Sequence, residues 1–444
     1  MAYATASDLP PELKSLITKE LIMDSHWNPA SWSSLAMVWR ESWNDIRAAR
    51  FMTVRFLRTD AMPSRLERLL ALVSSANTIV SCIKTIEMGH PRCYGIHEAW
   101  FGEREILPRL AVLVSLSKNL KTMKLYCLSP HSTRTIPEGL PALTDVLRAS
   151  QIEHLLIGEY TFISPGWLVY YLSMFPRIKK LTLMDLSFAL RARDPRPEPD
   201  APTRTIEPNR WLRSLRIFSN GDGEMQFLEA IMQRDIFPNI ACLDYSHTMQ
   251  SRPSFSENFL PAMRHFLPYT SSTLVSLTFP ELNHCFFSAK EERPFEFPPL
   301  LKDFRTTLDL PFRDRKCIHL LASSILNSHI SHMSLLVRYT DKVLERLPSL
   351  NNALRALDDV LASKIDHLVW EGRCGVDSEM GNDAYEERAK QLDEWLFSDA
   401  FPKVNKKFFA DMPKVAVSNV LEKGRNGSRI HKNVMVFNSV AGAV

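Results

Sequence analysis

The side chains in this sequence that could do chemistry occur in a few small groups. His329 and His332 are three residues apart, a separation at which two histidines can ligate one metal ion. They flank Ile330, which begins a predicted strand, so we interpret them as ordinary surface or turn histidines. Asp358 and Asp359 are adjacent on a predicted helix and therefore point in different directions, which favours two solvated carboxylates over an acid–base pair.

A third group lies at residues 370–374, where Trp370, Glu371, Arg373 and Cys374 could line a pocket. Its simpler interpretation is structural, because Trp370 is the last apolar position of a predicted strand. The sequence contains no glycine-rich phosphate-binding motif and no GxSxG nucleophile motif. We therefore predict that the protein is not an enzyme and that it has no catalytic, cofactor-binding or metal-binding residues.

The cysteines are scattered along the chain, and no two have the short spacing of a zinc site. This distribution is typical of reduced thiols and predicts a protein of the cytoplasm, the nucleus or both. The seven positions are Cys82, Cys93, Cys127, Cys242, Cys285, Cys317 and Cys374.

Charge and hydropathy argue against nucleic-acid and membrane partners. The net charge is only +4, and the most basic region, residues 179–216, is interleaved with acidic residues. The most apolar stretch, residues 106–116, contains Pro108 and Arg109 and is too short to span a bilayer. The first residues have neither the basic start nor the apolar core of a secretory signal.

The N-terminal fifty residues predict helices that carry more apolar surface than such a small unit can bury. Pro10 and Pro11 fix the start of the first helix, because proline at the first helical position loses no needed hydrogen bond. We expect the surplus to be buried against a partner, the alternative being an amphipathic cap on a larger domain. The apolar positions at helical spacing are Leu13, Ile17 and Leu21 in the first helix and Leu35, Val38, Trp39, Trp43 and Ile46 afterwards.

This segment resembles the F-box, the helical module that binds the Skp adaptor of cullin-based ubiquitin ligases. In that family a Leu-Pro pair is followed by an acidic residue, by Leu, Ile and Leu at helical spacing, and by a Val-x-x-x-Trp ending. The departure is at the end, because Ser42 stands where the tryptophan is expected and Trp43 follows it. Either the second half is divergent or the match covers only the first helix. Residues 47–56, which resemble the lead into the first strand of fungal F-box proteins, favour divergence.

The resemblance implies an adaptor-binding surface on a small all-helical module at residues 1–58. It implies a Skp-family adaptor as partner, and a cullin bound through that adaptor. The residues that would bind the adaptor are Leu9, Pro10, Glu12, Leu13, Ile17, Leu21, Leu35, Val38, Trp39 and Trp43.

Beyond residue 58 a six-residue pattern recurs, with apolar residues at the first, fourth and sixth positions, and we interpret each copy as a strand. Starts are roughly 26 to 39 residues apart, near the range of leucine-rich repeats. Weaker copies are at Leu301–Thr306 and Val404–Phe409. The clearer copies begin at Ile83, Leu120, Ile152, Ile178, Leu212, Ile240, Leu274, Ile330 and Ile365.

Phe-Pro pairs immediately precede several of these predicted strands, as at Phe175-Pro176, Phe237-Pro238, Phe297-Pro298 and Phe401-Pro402. Each proline should stop a preceding helix and force an extended entry into the strand. Helix, Phe-Pro, strand and loop form a repeating unit that must stack to bury its faces. The whole resembles the irregular leucine-rich-repeat-like solenoids of many fungal F-box proteins, without the Asn or Cys that usually forms a ladder after the strand.

We therefore predict an α/β fold: the helical module, an irregular solenoid of strands and helices at 59–422, and a C-terminal tail at 423–444 that could contain one strand near residues 434–437. The leading functional hypothesis is a substrate receptor of an SCF-type ubiquitin ligase that binds a protein client on its solenoid. The alternative is a non-catalytic scaffold whose F-box-like cap recruits no ligase. Candidate client contacts are Lys121, Lys124, Lys179, Lys180, Arg213, Arg216, Asp244 and His332.

Overall fold

The chain divides into two compact units, Met1–Trp211 and Leu212–Val444. The computed structural model describes residues 10, 12–14, 16–17, 43–56, 62–75, 77–89, 105–126, 140–162, 164–188, 208–219, 223–247, 259–281, 294–310, 316–340, 347–375, 391, 395–409, 420–423 and 429–438.

Strands and helices alternate along the first unit, and its five strands are parallel and adjacent in sequence order. Parallel neighbours require a crossover, which the intervening helices help to provide. The described elements are α1 (Trp43–Met52), β1 (Thr53–Phe56), α2 (Met62–Ser75), α3 (Asn77–Val80), β2 (Thr85–Met88), α4 (Ile106–Leu116), β3 (Thr122–Tyr126), α5 (Leu140–Ala149), β4 (His154–Phe162), α6 (Pro165–Leu172) and β5 (Lys180–Phe188).

The second unit continues the same alternation in six parallel strands, β6 to β11, and closes with an antiparallel hairpin. In this hairpin β13 pairs with β11, and β12 pairs with β13. The described elements are β6 (Ser214–Ser219), α7 (Gly223–Gln233), β7 (Cys242–His247), α8 (Phe259–Tyr269), β8 (Ser276–Glu281), β9 (Asp303–Leu310), α9 (Lys316–Leu326), β10 (His332–Thr340), α10 (Leu347–Lys364), β11 (His367–Gly375), a π-helix (Leu396–Ala400), α11 (Pro402–Phe409), β12 (Val420–Lys423) and β13 (Arg429–Asn438).

The six-residue pattern identifies the core of both units. In every copy from Ile83 to Trp370, including the weaker copy at Leu301, the first, fourth and sixth side chains are buried and none is more than 7% exposed. Each buried aliphatic or aromatic side chain contributes roughly 1.5–3 kcal/mol relative to an exposed one. The described helices pack beside one another, α2 against α4 and α4 against α5 in the first unit. The repeating strand-and-helix arrangement predicted from the pattern is therefore present.

A ladder of main-chain hydrogen bonds links successive copies at the entry to each strand. The carbonyl oxygen of Lys84 accepts from the N–H groups of both Lys121 and Thr122, at 2.9 and 3.0 Å. In later copies the second-position carbonyl likewise accepts two hydrogen bonds from the N–H groups at the entry of the following strand. These bonds join the entry of each strand to the entry of the next one. The accepting carbonyls are those of Lys84, Lys121 and Glu153 in the first unit and Arg213, Ala241, Val275, Lys302 and Ser331 in the second.

One predicted strand is wrong. Residues 404–409, interpreted as a weak copy of the pattern, belong to helix α11. Pro402 occupies the first position of this helix, where a missing N–H costs nothing. Asp358 of α10 accepts hydrogen bonds from the backbone N–H groups of Lys403 and Val404, which are among the groups left unpaired at a helix start.

Each end of the predicted solenoid pairs with a further strand. Strand β1 lies inside the segment 1–58, which was predicted to be all-helical, and pairs with β2. At the other end, the strand predicted near residues 434–437 of the tail is present as part of β13, which pairs with β11 over nine residues. Strands β1 and β13 therefore pair with the repeated strands although neither contains a clear copy of the pattern.

Candidate functional site

The polar strand face is formed by the side chains at the third and fifth positions of each copy. Successive side chains of a strand point to opposite sides, so these positions face away from the buried fourth and sixth ones. They include Lys124, Arg216 and His332, whose side chains are 35%, 53% and 49% exposed. Second-position residues, such as Lys121, lie at the strand entry beside this face. We treat this polar strand face and strand entry as the candidate site, one unit at a time.

In the first unit, Glu153 binds lysines from the copies on both sides. Lys121 Nζ donates to its Oε1 at 2.9 Å, and Lys179 Nζ donates to its Oε2 at 3.0 Å. These hydrogen bonds lower the pKa of Glu153 to about 2, and the bond from Lys121 has the larger effect. Two of the predicted client contacts are therefore brought together by an acid that the prediction did not include.

A second ion-pair group joins β1, β2 and β3. The side chain of Glu87 is only 10% exposed, and its Oε2 lies 3.3 Å from Nε of Arg55 and 3.8 Å from Nζ of Lys124. Because Arg55 remains 61% exposed, its guanidinium can also meet a bound partner.

His154 begins β4 between these charged groups. Partial burial lowers its pKa, and the charge of nearby Lys180 lowers it further. The imidazole is therefore mainly neutral at pH 7, and it can both donate and accept a hydrogen bond.

In the second unit, Arg216 and Asp244 bind each other instead of lying side by side as independent contacts. Arg216 Nε donates to Asp244 Oδ2 at 2.6 Å, and Ser246 Oγ donates to Oδ1 at 2.9 Å. Arg213 donates from Nη1 to the carbonyl oxygen of Asn239 at 3.3 Å. Arg216 and Asp244 thus form a connected polar group with Ser246 on β6 and β7, whereas Arg213 bonds separately to the turn before β7.

The second unit also brings two histidines together, but they are not His329 and His332, the pair that is close in sequence. His332 lies beside His367 of β11, with ring centroids 5.6 Å apart, and its Nδ1 is 3.5 Å from Asp303 of β9. Its sequence neighbour His329 lies in the preceding turn. Among the described residues no group of three or more His, Cys, Asp or Glu side chains is arranged to hold a metal ion.

The adjacent aspartates have different surroundings, as their positions on a helix predict. Asp359 is exposed and binds Lys403 at 2.7 Å. Asp358, however, is 1% exposed, so the prediction of a solvated carboxylate is wrong for this residue. Burial raises its pKa, while the two N–H groups of α11 oppose that shift. Its role is structural, as a helix cap.

Trp370 likewise belongs to the core. Its side chain is fully buried, and its ring meets that of Phe401 at 5.0 Å with the planes 72° apart. The structural interpretation of Trp370 as a strand residue is therefore confirmed.

The predicted adaptor-binding residues are only partly described. Residues 12–14 and 16–17 are helical, and the N–H of Lys14 donates to the carbonyl of Pro10 at 3.0 Å. Leu13 and Leu16 are 45% and 55% exposed, Glu12 is exposed and Ile17 is half-buried. Trp43 begins α1. Outside the described residues lie Leu9, Leu21, Leu35, Val38 and Trp39.

The acids Glu87, Glu153 and Asp303, together with His367, are site residues that sequence reasoning missed. A signal for them was present, because equal positions in consecutive copies are neighbours across the sheet. Glu153 occupies the same second position as its two lysines. Asp303, His332 and His367 all occupy third positions.

The chain matches no protein-family model and no curated protein. Its function is therefore inferred from its own residues and geometry. None of the helices in the described ranges combines the length and apolar character needed to cross a membrane.

Proposed function

We propose that the protein is the substrate-recognition subunit of a cullin-based, SCF-type ubiquitin ligase. In this proposal, residues between Leu9 and Trp43 bind a Skp-family adaptor and through it a cullin. The polar strand face binds a protein client. The protein itself performs no covalent chemistry, because holding the client near a ubiquitin-loaded enzyme raises its effective concentration. The proposal implies a location in the cytoplasm, the nucleus or both.

The observation that carries this proposal is the repeated strand with one buried and one polar side. In every described copy the apolar positions are buried, while third and fifth positions carry many charged or hydrogen-bonding groups. Stacked repeats of this kind present long surfaces that suit protein recognition. No described cluster offers the metal ligands that would favour an enzyme.

Exposed leucines support the adaptor half of the proposal. Leu13 and Leu16 lie on a helix that follows Pro10, and about half of each side chain is accessible. Exposed apolar groups on a short helix favour a partner surface, and a few such anchors can carry most of the binding energy.

The second candidate function is a repeat scaffold that recruits no ligase. The observation that favours it is Trp43, which stands one residue beyond the position expected in an F-box. A scaffold would use the same polar strand face but would not bind the adaptor.

Co-expression of the full chain with the Skp adaptor, followed by pull-down, separates the two candidates. We expect the wild type to co-purify stoichiometrically and the Leu9→Ala/Pro10→Ala/Leu13→Ala variant to lose the adaptor. Anchor truncations that each cost about 2 kcal/mol would weaken binding by a hundredfold or more. A matched control, Leu72→Ala/Val112→Ala/Leu116→Ala, removes similarly exposed side chains from α2 and α4 and should retain the adaptor. A folded wild type without adaptor would favour the scaffold.

A further inference from the structure

We propose that the strand-entry edge of the first unit binds an acidic segment of the client protein. This edge is rich in exposed cations. The inference rests on the proposed function only in that the bound protein is a ligase client. We call this set the basic edge. It consists of Lys84, Lys118, Lys121, Arg177, Lys179 and Lys180.

The main-chain ladder aligns the basic edge across four strands. The N–H of Lys121 bonds to the carbonyl of Lys84, and that of Lys179 bonds to the carbonyl of Glu153. Neighbouring strands are about 4.8 Å apart, so the row from β2 to β5 covers about 14 Å. Lys118 and Arg177 are exposed in the turns just before β3 and β5, within three residues of the row along the chain.

The positive charge of this edge is not compensated within the described part of the chain. Glu153 is the carboxylate in the row, and it already bonds to Lys121 and Lys179. No carboxylate among the described residues lies within ion-pairing distance of Lys84, Lys118, Arg177 or Lys180. Like charges at equal positions on adjacent strands repel each other, as at Lys84 and Lys121. A carboxylate supplied by a partner would relieve that repulsion.

Glu153 shows which chemical group the edge accommodates. One carboxylate accepts from two lysines at 2.9 and 3.0 Å, with one oxygen for each. Glu153 therefore demonstrates that the spacing of the strands suits carboxylates between lysine side chains. An extended segment rises about 3.3 Å per residue, so four or five residues of an Asp- or Glu-rich segment would cover the row.

The same edge does not suit single-stranded nucleic acid. Such ligands are bound by cations interleaved with aromatic side chains on which the bases stack. Within the described part of the basic edge, the third-position side chains are Thr85, Thr122, His154 and Lys180, so a single, partly buried imidazole is the one ring in this row. The observations thus favour an acidic protein segment as the occupant.

Fluorescence anisotropy of the full chain tests this proposal with a labelled peptide of alternating Glu and Gly, about 12 residues long. We expect saturable binding that weakens as the salt is raised from about 50 to about 200 mM. The Lys84→Glu/Lys118→Glu/Lys180→Glu variant, which leaves the Glu153 cluster intact, should weaken binding at least about tenfold. The matched control, Arg355→Glu/Lys364→Glu/Lys406→Glu, makes the same change of net charge at exposed positions of α10 and α11 in the second unit, outside the polar strand face. It should bind within about twofold of wild type.

Three results would overturn the proposal: no binding to the wild type, equal loss in both triple variants, or equally tight binding of an oligothymidylate with the same dependence on the three lysines. If circular dichroism shows that the Glu variant is unfolded, the Lys84→Gln/Lys118→Gln/Lys180→Gln variant decides, with a smaller loss expected. The adaptor pull-down is independent of this edge. A chain that binds the adaptor but not the peptide overturns this inference alone, whereas one that binds the peptide but not the adaptor overturns the ligase proposal alone.

Discussion

Glu153 is held by two lysines that are 32 residues before it and 26 residues after it. Side chains so far apart in sequence meet because equal positions of the repeated pattern align across parallel strands. At the scale of residues, the chemistry of the candidate site is therefore set by lateral neighbours. His332 illustrates the same point, since besides the adjacent Ser331 it contacts His367 and Asp303 on the neighbouring strands.

The depressed pKa of Glu153 leads to a prediction about stability and pH. Its pKa in the folded protein is about 2, below the ordinary value of 4.5. Its contribution to the free energy of unfolding is therefore present above pH 4.5 and is lost as pH falls from there towards 2. Glu153→Gln should be less stable than wild type near neutral pH, and this difference should shrink as the solution is acidified.

Urea unfolding of wild type and Glu153→Gln at about pH 6 and about pH 3 measures this change. Glu229→Gln is the control, because Glu229 is an exposed carboxylate on α7. Its difference from wild type should depend less on pH. A stability difference for Glu153→Gln that stays constant between the two pH values would contradict the assigned ion pairs.

At the scale of elements, Phe-Pro pairs lead into different structures. Phe175-Pro176 precedes strand β5, whereas in Phe401-Pro402 the proline is the first residue of helix α11. Proline is compatible with both, since it fixes one dihedral angle and suits the first position of a helix. Asp358, which caps α11 from another helix, stabilises the helical outcome.

Asp358→Ala should lower the free energy of unfolding by about 1–3 kcal/mol, because two backbone N–H groups of α11 lose their acceptor. Urea denaturation gives the size of the loss, and amide hydrogen exchange shows whether α11 opens. Asp359→Ala is the control. It removes an exposed ion pair with Lys403 and should cost less than about 1 kcal/mol. Equal losses in both variants would show that the cap is unimportant.

At the scale of the whole molecule, burial repeats with each copy of the pattern while the outward side chains vary. The fully buried Leu277 of β8 occupies the fourth position, and its equivalents in β7 and β9 are Leu243 and Phe304. Stability in such arrays comes from each repeat and its interfaces with the next ones. Damage to one copy should therefore spread first to its immediate neighbours.

Leu277→Ala tests this expectation in the second unit. Removing a fully buried leucine side chain should cost about 2–5 kcal/mol. Hydrogen exchange should accelerate in β7 and β9 more than in β11. Val275→Ala, at a position that is 36% exposed, should change stability by no more than about 0.5 kcal/mol. Uniform loss of protection from β6 to β11 would argue against nearest-neighbour coupling.

Much of the fold could be predicted because the repeated pattern is local. Alternation of side chains in a strand assigns the fourth and sixth positions to one face, and the structure buries them from Ile83 to Trp370. The candidate site was less predictable. Lys121 and Lys179 were singled out individually, but their shared partner Glu153 becomes evident only when consecutive copies are aligned.

The sequence by itself determined which residues of each copy enter the core, because that depends on a short periodic pattern. Only the tertiary structure decided that residues 402–409 form a helix, that Asp358 is buried and that β13 pairs antiparallel with β11. Each of these outcomes depends on distant contacts, such as the bonds from Lys403 and Val404 to Asp358, 45 and 46 residues away. A periodic pattern specifies which side of a strand is apolar, whereas a helix cap or an added strand depends on what the folded chain brings alongside.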